Sequence, residues 1–312
     1  MPHDHSHSHL HSHGHSHGHH HHNHDGKLSL AVFINILLTI VQIIGGVLSG
    51  SLSLIADALH NLSDAGAILI AIFARRIARL PASNKMTFGF RRAEILGALI
   101  NSTSLVLVGI YLIFEAVSKY FNPQPIDGWI IVGIASVAFL IDAATAWLTY
   151  KSGVKNNLNL KATFIHNLSD AFASIVVMVA GTLIILYQWY IVDLIATIGI
   201  SLYVIYQGYQ LAKQSMVILM QGVPANIDVD TLCLELEGID SVVKIWHIHV
   251  WQLDDTNIFL EAYVELDTSG DQQDLSPIKA FLVERYGIHH STIEITKKRL
   301  DPETESENCY QN

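Results

Sequence analysis

The sequence predicts an α-helical membrane protein: six transmembrane helices followed by a small α+β domain. Three observations carry this reading. Half of the 312 residues are hydrophobic and only 15% are charged. The charge is unevenly placed: Met1–Ala212 holds 11 Lys/Arg against 10 Asp/Glu, whereas Lys213–Asn312 holds 7 against 18. A hexapeptide, His-Asn-Leu-Ser-Asp-Ala, occurs at 60–65 and again at 166–171, each time within a long apolar stretch. The net charge of −10 therefore belongs to a soluble-looking C-terminal unit. Such an acidic balance argues against nucleic acid, whose phosphates require a basic surface.

A helix needs about 20 apolar residues to cross about 30 Å of hydrocarbon. Six stretches qualify, near 28–49, 52–74, 94–118, 128–150, 160–186 and 190–212. Ser49-Gly50-Ser51 forms a tight reversal between the first two, and Pro123 and Pro125 break the chain between the third and fourth. The connection between spans two and three carries Arg75, Arg76, Arg79, Lys85, Arg91 and Arg92, and that between four and five carries Lys151, Lys155 and Lys161. The opposite connections hold little beyond Lys119. The positive-inside rule then places both termini in the cytoplasm. The histidine-rich start lacks the basic-then-apolar pattern of a cleavable signal peptide.

With this topology spans two and five run antiparallel, and the chain divides into two three-span halves of opposite orientation, an arrangement known in transporters. Each hexapeptide places a histidine and an aspartate four apart, His60 with Asp64 and His166 with Asp170, which stacks both on one helix face. Ionisable groups at membrane depth are costly and mark functional sites. Two imidazoles and two carboxylates supply four ligands for Zn²⁺; Cd²⁺, Co²⁺ and Mn²⁺ remain alternatives, since affinity order alone does not set selectivity. Calcium and magnesium prefer all-oxygen shells. Metal binds only deprotonated ligands, and imidazole titrates near about 6.5, so binding and proton release are linked. These residues thus predict exchange of cytoplasmic Zn²⁺ for H⁺. Asp57 and Asp142 are read as supporting or structural groups in their spans.

The motifs resemble the cation diffusion facilitator family, in its zinc-transporting branch. They are Gly45-Gly46-Val47-Leu48-Ser49-Gly50-Ser51-Leu52 running through Asp57 to the first His-Asn-Leu-Ser-Asp, then Thr87-Phe88-Gly89-Phe90-Arg91-Arg92-Ala93-Glu94-Ile95-Leu96-Gly97-Ala98. Asn159-Leu160 with the second His-Asn-Leu-Ser-Asp follows, and then His247-Ile248-His249-Val250-Trp251. The resemblance covers roughly residues 28–298. It implies a homodimer working by alternating access, with His60, Asp64, His166 and Asp170 as transport-site ligands. A histidine at position 60 resembles zinc-preferring members. Residues 75–93 contain no His, Asp, Glu or Cys, so the further metal site that some relatives carry there is expected to be missing. Gln42 stands where relatives often carry an acid, which bears on any proton relay through Gln42, Asp57 or Asp142. Lack of a long histidine loop between spans four and five points to a bacterial inner membrane.

Beyond the spans, 227–237 reads as a helix, Val242–Leu253 and Asn257–Asp267 as strands, 275–286 as a helix and Ser291–Lys297 as a strand. The resemblance makes this domain ferredoxin-like and dimer-forming, and nominates His247, Glu261 and His290 for a regulatory zinc site; His247 and His249 share a strand face. Hydrogen-bonded histidines on a polar face are the plainer reading. Cys233 and Cys309 show no C-x-x-C spacing and suggest no disulfide framework, which fits a reducing compartment. The expected organisation is a disordered histidine-rich tail at 1–26, a transport domain at 27–213, a cytoplasmic domain at 214–298 and an acidic tail at 299–312. The 13 histidines between His3 and His24 suit loose Zn²⁺ collection.

Other classes fit less well. A membrane metalloenzyme would need an open coordination position, and no H-E-x-x-H occurs. A metal sensor would need an output motif, and a channel would not hold its ion with four ligands. No resident cofactor is expected; Zn²⁺ is cargo and a regulatory ligand, with H⁺ and membrane lipid as the other partners.

Overall fold

A computed structural model describes residues 24–151, 158–266 and 275–295. Six long helices come first: α1 (His24–Ser49), α2 (Leu52–Ala78), α3 (Ala93–Phe121), α4 (Gly128–Lys151), α5 (Leu158–Tyr187) and α6 (Ile191–Leu219). The smaller unit follows as α7 (Val229–Glu237), β1 (Val242–Gln252), β2 (Ile258–Leu266), α8 (Ser276–Tyr286) and β3 (His290–Ile295). Among the described residues, α2 to α6 are each long and apolar enough to cross a membrane, and α1 contributes the apolar stretch Ile34–Ser49. His24–Gly26, expected in the tail, form the first turn of α1. Helix α6 runs to Leu219, seven residues beyond its expected end, because a helix can continue into polar sequence after the apolar stretch stops. The remainder of the histidine-rich tail and the acidic tail lie outside the described residues.

The helical unit is inverted relative to a water-soluble protein. Ile44, Leu48, Phe73, Phe114, Leu140, Phe172 and Leu202 face outward, while Gln42, Ser53, Asp57, His60, Asp142, Asp170, Ser174 and Asp193 are buried. An exposed apolar surface of this extent is tolerable only against lipid. Tyr120, Trp129, Tyr187 and Trp189 ring one end, and Trp147, Tyr150 and Tyr209 lie toward the other, as interfacial aromatics do. The chain is an integral membrane protein.

Small residues allow the closest helix pairs. Helix α4 packs mainly on α5, and α3 on α6. A Cβ on Gly109 would lie 2.6 Å from the Ile205 side chain, and one on Gly208 would lie 2.9 Å from Val106. These glycines let α3 and α6 approach where dispersion, rather than a hydrophobic drive, holds helices together.

The reversal between α1 and α2 is held by charge. Gly50 takes a left-handed φ of 72°, and Ser51 caps α2 by accepting from the Leu54 amide at 3.2 Å. Asp193, at the start of α6, is fully buried and accepts from Ser51 Oγ (2.5 Å), Leu52 N (2.8 Å), Ser53 Oγ (2.6 Å) and Ser53 N (3.3 Å). A carboxylate from one helix thereby satisfies the unpaired amides and the positive dipole end of another. Lys119 Nζ donates to the Gly50 carbonyl at 3.0 Å, and the Asp127 amide to the Ser49 carbonyl at 3.0 Å. The end of the bundle opposite the C-terminal unit is therefore tied together by α1, α2, α3, α6 and the α3–α4 connection.

In the C-terminal unit the strands lie in the order β1-β2-β3, β1–β2 antiparallel and β2–β3 parallel. Ile245, Ile248, Val250, Leu260 and Val264 form one sheet face against Leu232 and Leu236 of α7 and Ile278 and Leu282 of α8. The spacing from Ile245 to Ile248 breaks the two-residue alternation, and a bulge between Trp246 and His249 absorbs the extra residue, with His247 at φ 51°. Tyr286 Oη donates to Glu235 at 2.7 Å, joining α8 to α7. That bond, with Arg285 beside it, holds the Glu235 carboxyl below its ordinary range. Burial and the same carboxylate push Tyr286 up to about 12. Cys233, buried in this core, is disulfide-bonded, which corrects the expectation of no disulfide. Cys309 lies outside the described residues.

Asp193→Ala leaves buried donors without an acceptor, each costing about 1–3 kcal/mol. We expect a lower melting temperature for the detergent-solubilised variant by circular dichroism; an unchanged temperature would show that the trans cap contributes nothing.

Candidate metal centre

The two hexapeptides meet. Helix α2 presents His60 and Asp64, and antiparallel α5 presents His166 and Asp170. His60 Nε2 stands 3.3 Å from Asp170 Oδ1 and 3.7 Å from Asp64 Oδ2. His166 Nε2 stands 3.4 Å from Asp64 Oδ2 and 3.4 Å from Asp170 Oδ2. Each imidazole nitrogen thus faces both carboxylates. A tetrahedral ion with ligands at about 2.0–2.1 Å has ligand-to-ligand edges of about 3.3 Å. Three of the observed separations, 3.3–3.4 Å, are close to such an edge, although Asp170 meets the two imidazoles with different oxygens. Good N–H···O bonds run at about 2.7–3.2 Å. His60, Asp64 and Asp170 place one ligand atom each within 4.8 Å of one another, a set that His166 does not join. The His60 and His166 rings are 6.1 Å apart at 70°.

Burial divides the four. The side chains of His60 and Asp170 are 2% and 10% exposed, those of Asp64 and His166 33% and 39%. Along α2, Asp64 lies about 6 Å nearer than His60 to the α2–α3 connection, and along α5, His166 lies equally nearer than Asp170 to the α4–α5 connection. The two accessible ligands therefore point toward the end of the bundle that carries the basic connections.

Polar neighbours support the cluster from both halves. Gln42 Nε2 on α1 donates to Asp57 Oδ2 at 2.6 Å, and Asn61 Nδ2 donates to Gln42 Oε1 at 3.1 Å. On the other side Ser174 Oγ donates to Asp142 Oδ2 at 3.2 Å, and Asn167 Nδ2 to Thr149 Oγ1 at 3.4 Å. Asp57 and Asp142 are each held by a neighbouring helix. Tyr203 of α6 packs edge-on to the His60 ring, 6.2 Å between centroids. Sequence reasoning missed Ser174, Thr149 and Tyr203. Ser174 carried a usable signal, since it follows Asp170 by the same four-residue step that marks the ligands.

The C-terminal candidates do not assemble. His247, Glu261 and His290 form no three-ligand cluster among the described residues. Glu261 is paired with His249 on β1 and with Thr292 on β3, while His290 is paired with Phe259. The bulge sets the His247 ring parallel to Tyr263, 4.8 Å between centroids, rather than over Glu261.

A family model described as the cation efflux transmembrane domain matches residues 28–220. The chain is 34% identical over 263 residues to the cadmium, cobalt and zinc/H⁺-K⁺ antiporter of Bacillus subtilis, covering 82% of this chain and 84% of that protein. It is 32% identical over 258 residues to the zinc transporter ZitB of Escherichia coli, covering 82% of each. ZitB of Pectobacterium atrosepticum is 31% identical over 277 residues, covering 88% of this chain and 86% of that protein. With a duplicated His/Asp pair that fits a metal ion inside a helical membrane unit, and with matches of this extent, the chain belongs to the cation efflux family, the cation diffusion facilitators, whose members are transporters rather than enzymes.

Proposed function

We propose that the chain exports Zn²⁺ from the cytoplasm in exchange for H⁺, through a His₂Asp₂ site formed by His60, Asp64, His166 and Asp170. The observation that carries this reading is the meeting of the two motif copies: His60, Asp64 and Asp170 place a ligand atom each within 4.8 Å of one another, and His166 Nε2 stands 3.4 Å from a carboxylate oxygen of both aspartates. Cytoplasmic Zn²⁺ meets Asp64 and His166 first, because these are the accessible ligands, and is then enclosed by His60 and Asp170. Metal requires neutral imidazole and ionised carboxylate, so protons arriving from the far side compete for the same atoms and expel it. Zinc suits this cycle because it has no ligand-field preference to lose as the site opens and closes. The printed names of the relatives, a zinc transporter and a cadmium, cobalt and zinc antiporter, support the same reading. The second name favours Cd²⁺ or Co²⁺ as alternative cargo.

The basic connections between α2 and α3 and at the end of α4 support cytoplasmic termini in a bacterial inner membrane. The likeness to bacterial transporters supports that location, and the family supports a homodimer embedded in lipid. In this reading the histidine-rich tail collects Zn²⁺ on the cytoplasmic side. Zinc regulation through His247, Glu261 and His290 would need ligands from a second copy of the domain, since one copy does not gather them.

Zinc flux into proteoliposomes under an imposed pH gradient tests the central reading. We expect saturable flux in the wild type and none in Asp170→Ala, with zinc affinity of that variant reduced by more than about 100-fold, since even a supporting group beyond the ligands is worth 10–100-fold. Full transport by the variant would place the path elsewhere. Removing residues 1–22 should raise the half-saturating zinc concentration and leave the maximal rate unchanged; an unchanged concentration dependence would remove the collecting role of the tail.

A further inference from the structure

Two cavities lie between the C-terminal unit and the metal centre. The outer one, about 1080 Å³, separates the α2–α3 connection from the β1–β2 turn and the start of β3, with Arg79 and Arg91 on one wall and Asp254 and His290 on the other. The inner one, about 380 Å³, lies between α2, α3 and α6. Arg75, Glu94, Ile95 and Asp255 line both, so the two adjoin. The inner cavity extends to Asn101, whose Nδ2 donates to Ser63 Oγ at 3.4 Å, and Ser63 is the residue before Asp64. Ala67 and Ala71, which line the inner cavity, follow Asp64 by three and seven residues and so share its face of α2.

The lining of the inner cavity is unusual for helices facing one another in a membrane. Ala67 and Ala71 on α2 and Ala98 on α3 leave room, Gly97 packs against Ile70, and Glu94, Asn101 and Gln214 bring polar groups into it. Polar and ionisable groups inside a membrane unit mark ion paths. At the junction of the two cavities Arg75 Nε stands 3.5 Å from Glu94 Oε2. The Arg75 side chain is 66% exposed and the contact is single and long, so the guanidinium can leave for water at little cost.

We infer that a hydrated divalent cation reaches the four-residue site through this crevice between α2, α3 and α6, and that Glu94 receives it by exchanging the Arg75 guanidinium for the metal. This rests on the transport reading above. Glu94 is the first carboxylate inside the helical unit, and Asn101 and Ser63 offer oxygen atoms on the way to Asp64. The Arg75–Glu94 pair neutralises the Glu94 carboxylate between passages. The Arg91 contact to Asp254 Oδ2, 3.4 Å, holds the outer cavity under the C-terminal unit.

The full-length chain in proteoliposomes tests the route with two variants whose effects should be opposite. Glu94→Gln removes the receiving carboxylate and should raise the half-saturating zinc concentration about tenfold, the scale on which a charged cleft concentrates ions. Arg75→Gln removes the competitor and should lower it. A purely structural ion pair predicts the same defect from either variant, and that result would overturn the inference. As an independent readout, Ala67→Cys and Ala71→Cys should react with a membrane-impermeant thiol reagent from the side of the C-terminal unit, more slowly with zinc present. Phe73→Cys, on the outward face of α2, should not react. The unsubstituted chain gives the background from its own cysteines. Absence of reaction at both alanine positions overturns the route. Wild-type flux with insensitive Glu94 and Arg75 variants rejects the route alone, whereas a wild type that moves no zinc rejects the transport reading with it.

Discussion

Four ionisable side chains inside a hydrocarbon-facing bundle have little water to solvate them, least of all His60 and Asp170, and depend on partners within the protein. Here the Nε2 of each imidazole faces two carboxylates and each carboxylate faces two imidazoles, at 3.3–3.7 Å. Those distances are too long for strong hydrogen bonds, so the arrangement is poorly satisfied by the protein alone and better completed by a cation. The remainder of the helical unit holds α2 and α5 in the antiparallel crossing that makes this exchange of partners geometrically available.

The supporting contacts follow the same duplication. In the first half Asn61 reaches from α2 to Gln42 on α1, and Gln42 holds Asp57; in the second Asn167 reaches from α5 to Thr149 on α4, and Ser174 holds Asp142. Each motif is thus tied to the preceding helix by its asparagine. The opposite ends of the bundle differ. At one, Asp193, Lys119 and the Asp127 amide lock the α1–α2 reversal. At the other, small residues on α2 and α3 leave a crevice. A molecule built this way is closed at the first end and accessible at the second, which is one of the two states that alternating access requires.

Much of this was legible in the sequence. The spans, the hexapeptide pairs and the succession of helices and strands in the C-terminal unit follow from apolar length, four-residue spacing and alternation, all of which are local. The partners of buried polar groups were not legible, because they depend on how one helix is rotated against another. Asp193 reads as an isolated acid near a span end, yet it caps a helix more than a hundred residues away in sequence. The bulge at His247 went unread, although the spacing from Ile245 to Ile248 already breaks the alternation; its effect on the cross-strand register is not a local property. That bulge is why His247, Glu261 and His290, plausible by position, stand apart within one copy.

The most direct test of the account is the number of protons released when zinc binds, measured by titration calorimetry of the solubilised chain in buffers of different ionisation enthalpy. If metal and protons share His60 and His166, binding releases protons at mildly acidic pH, and the release falls in His60→Gln and His166→Gln. Zinc binding to the wild type with no proton release, or with release that survives both substitutions, would contradict the exchange mechanism at this site.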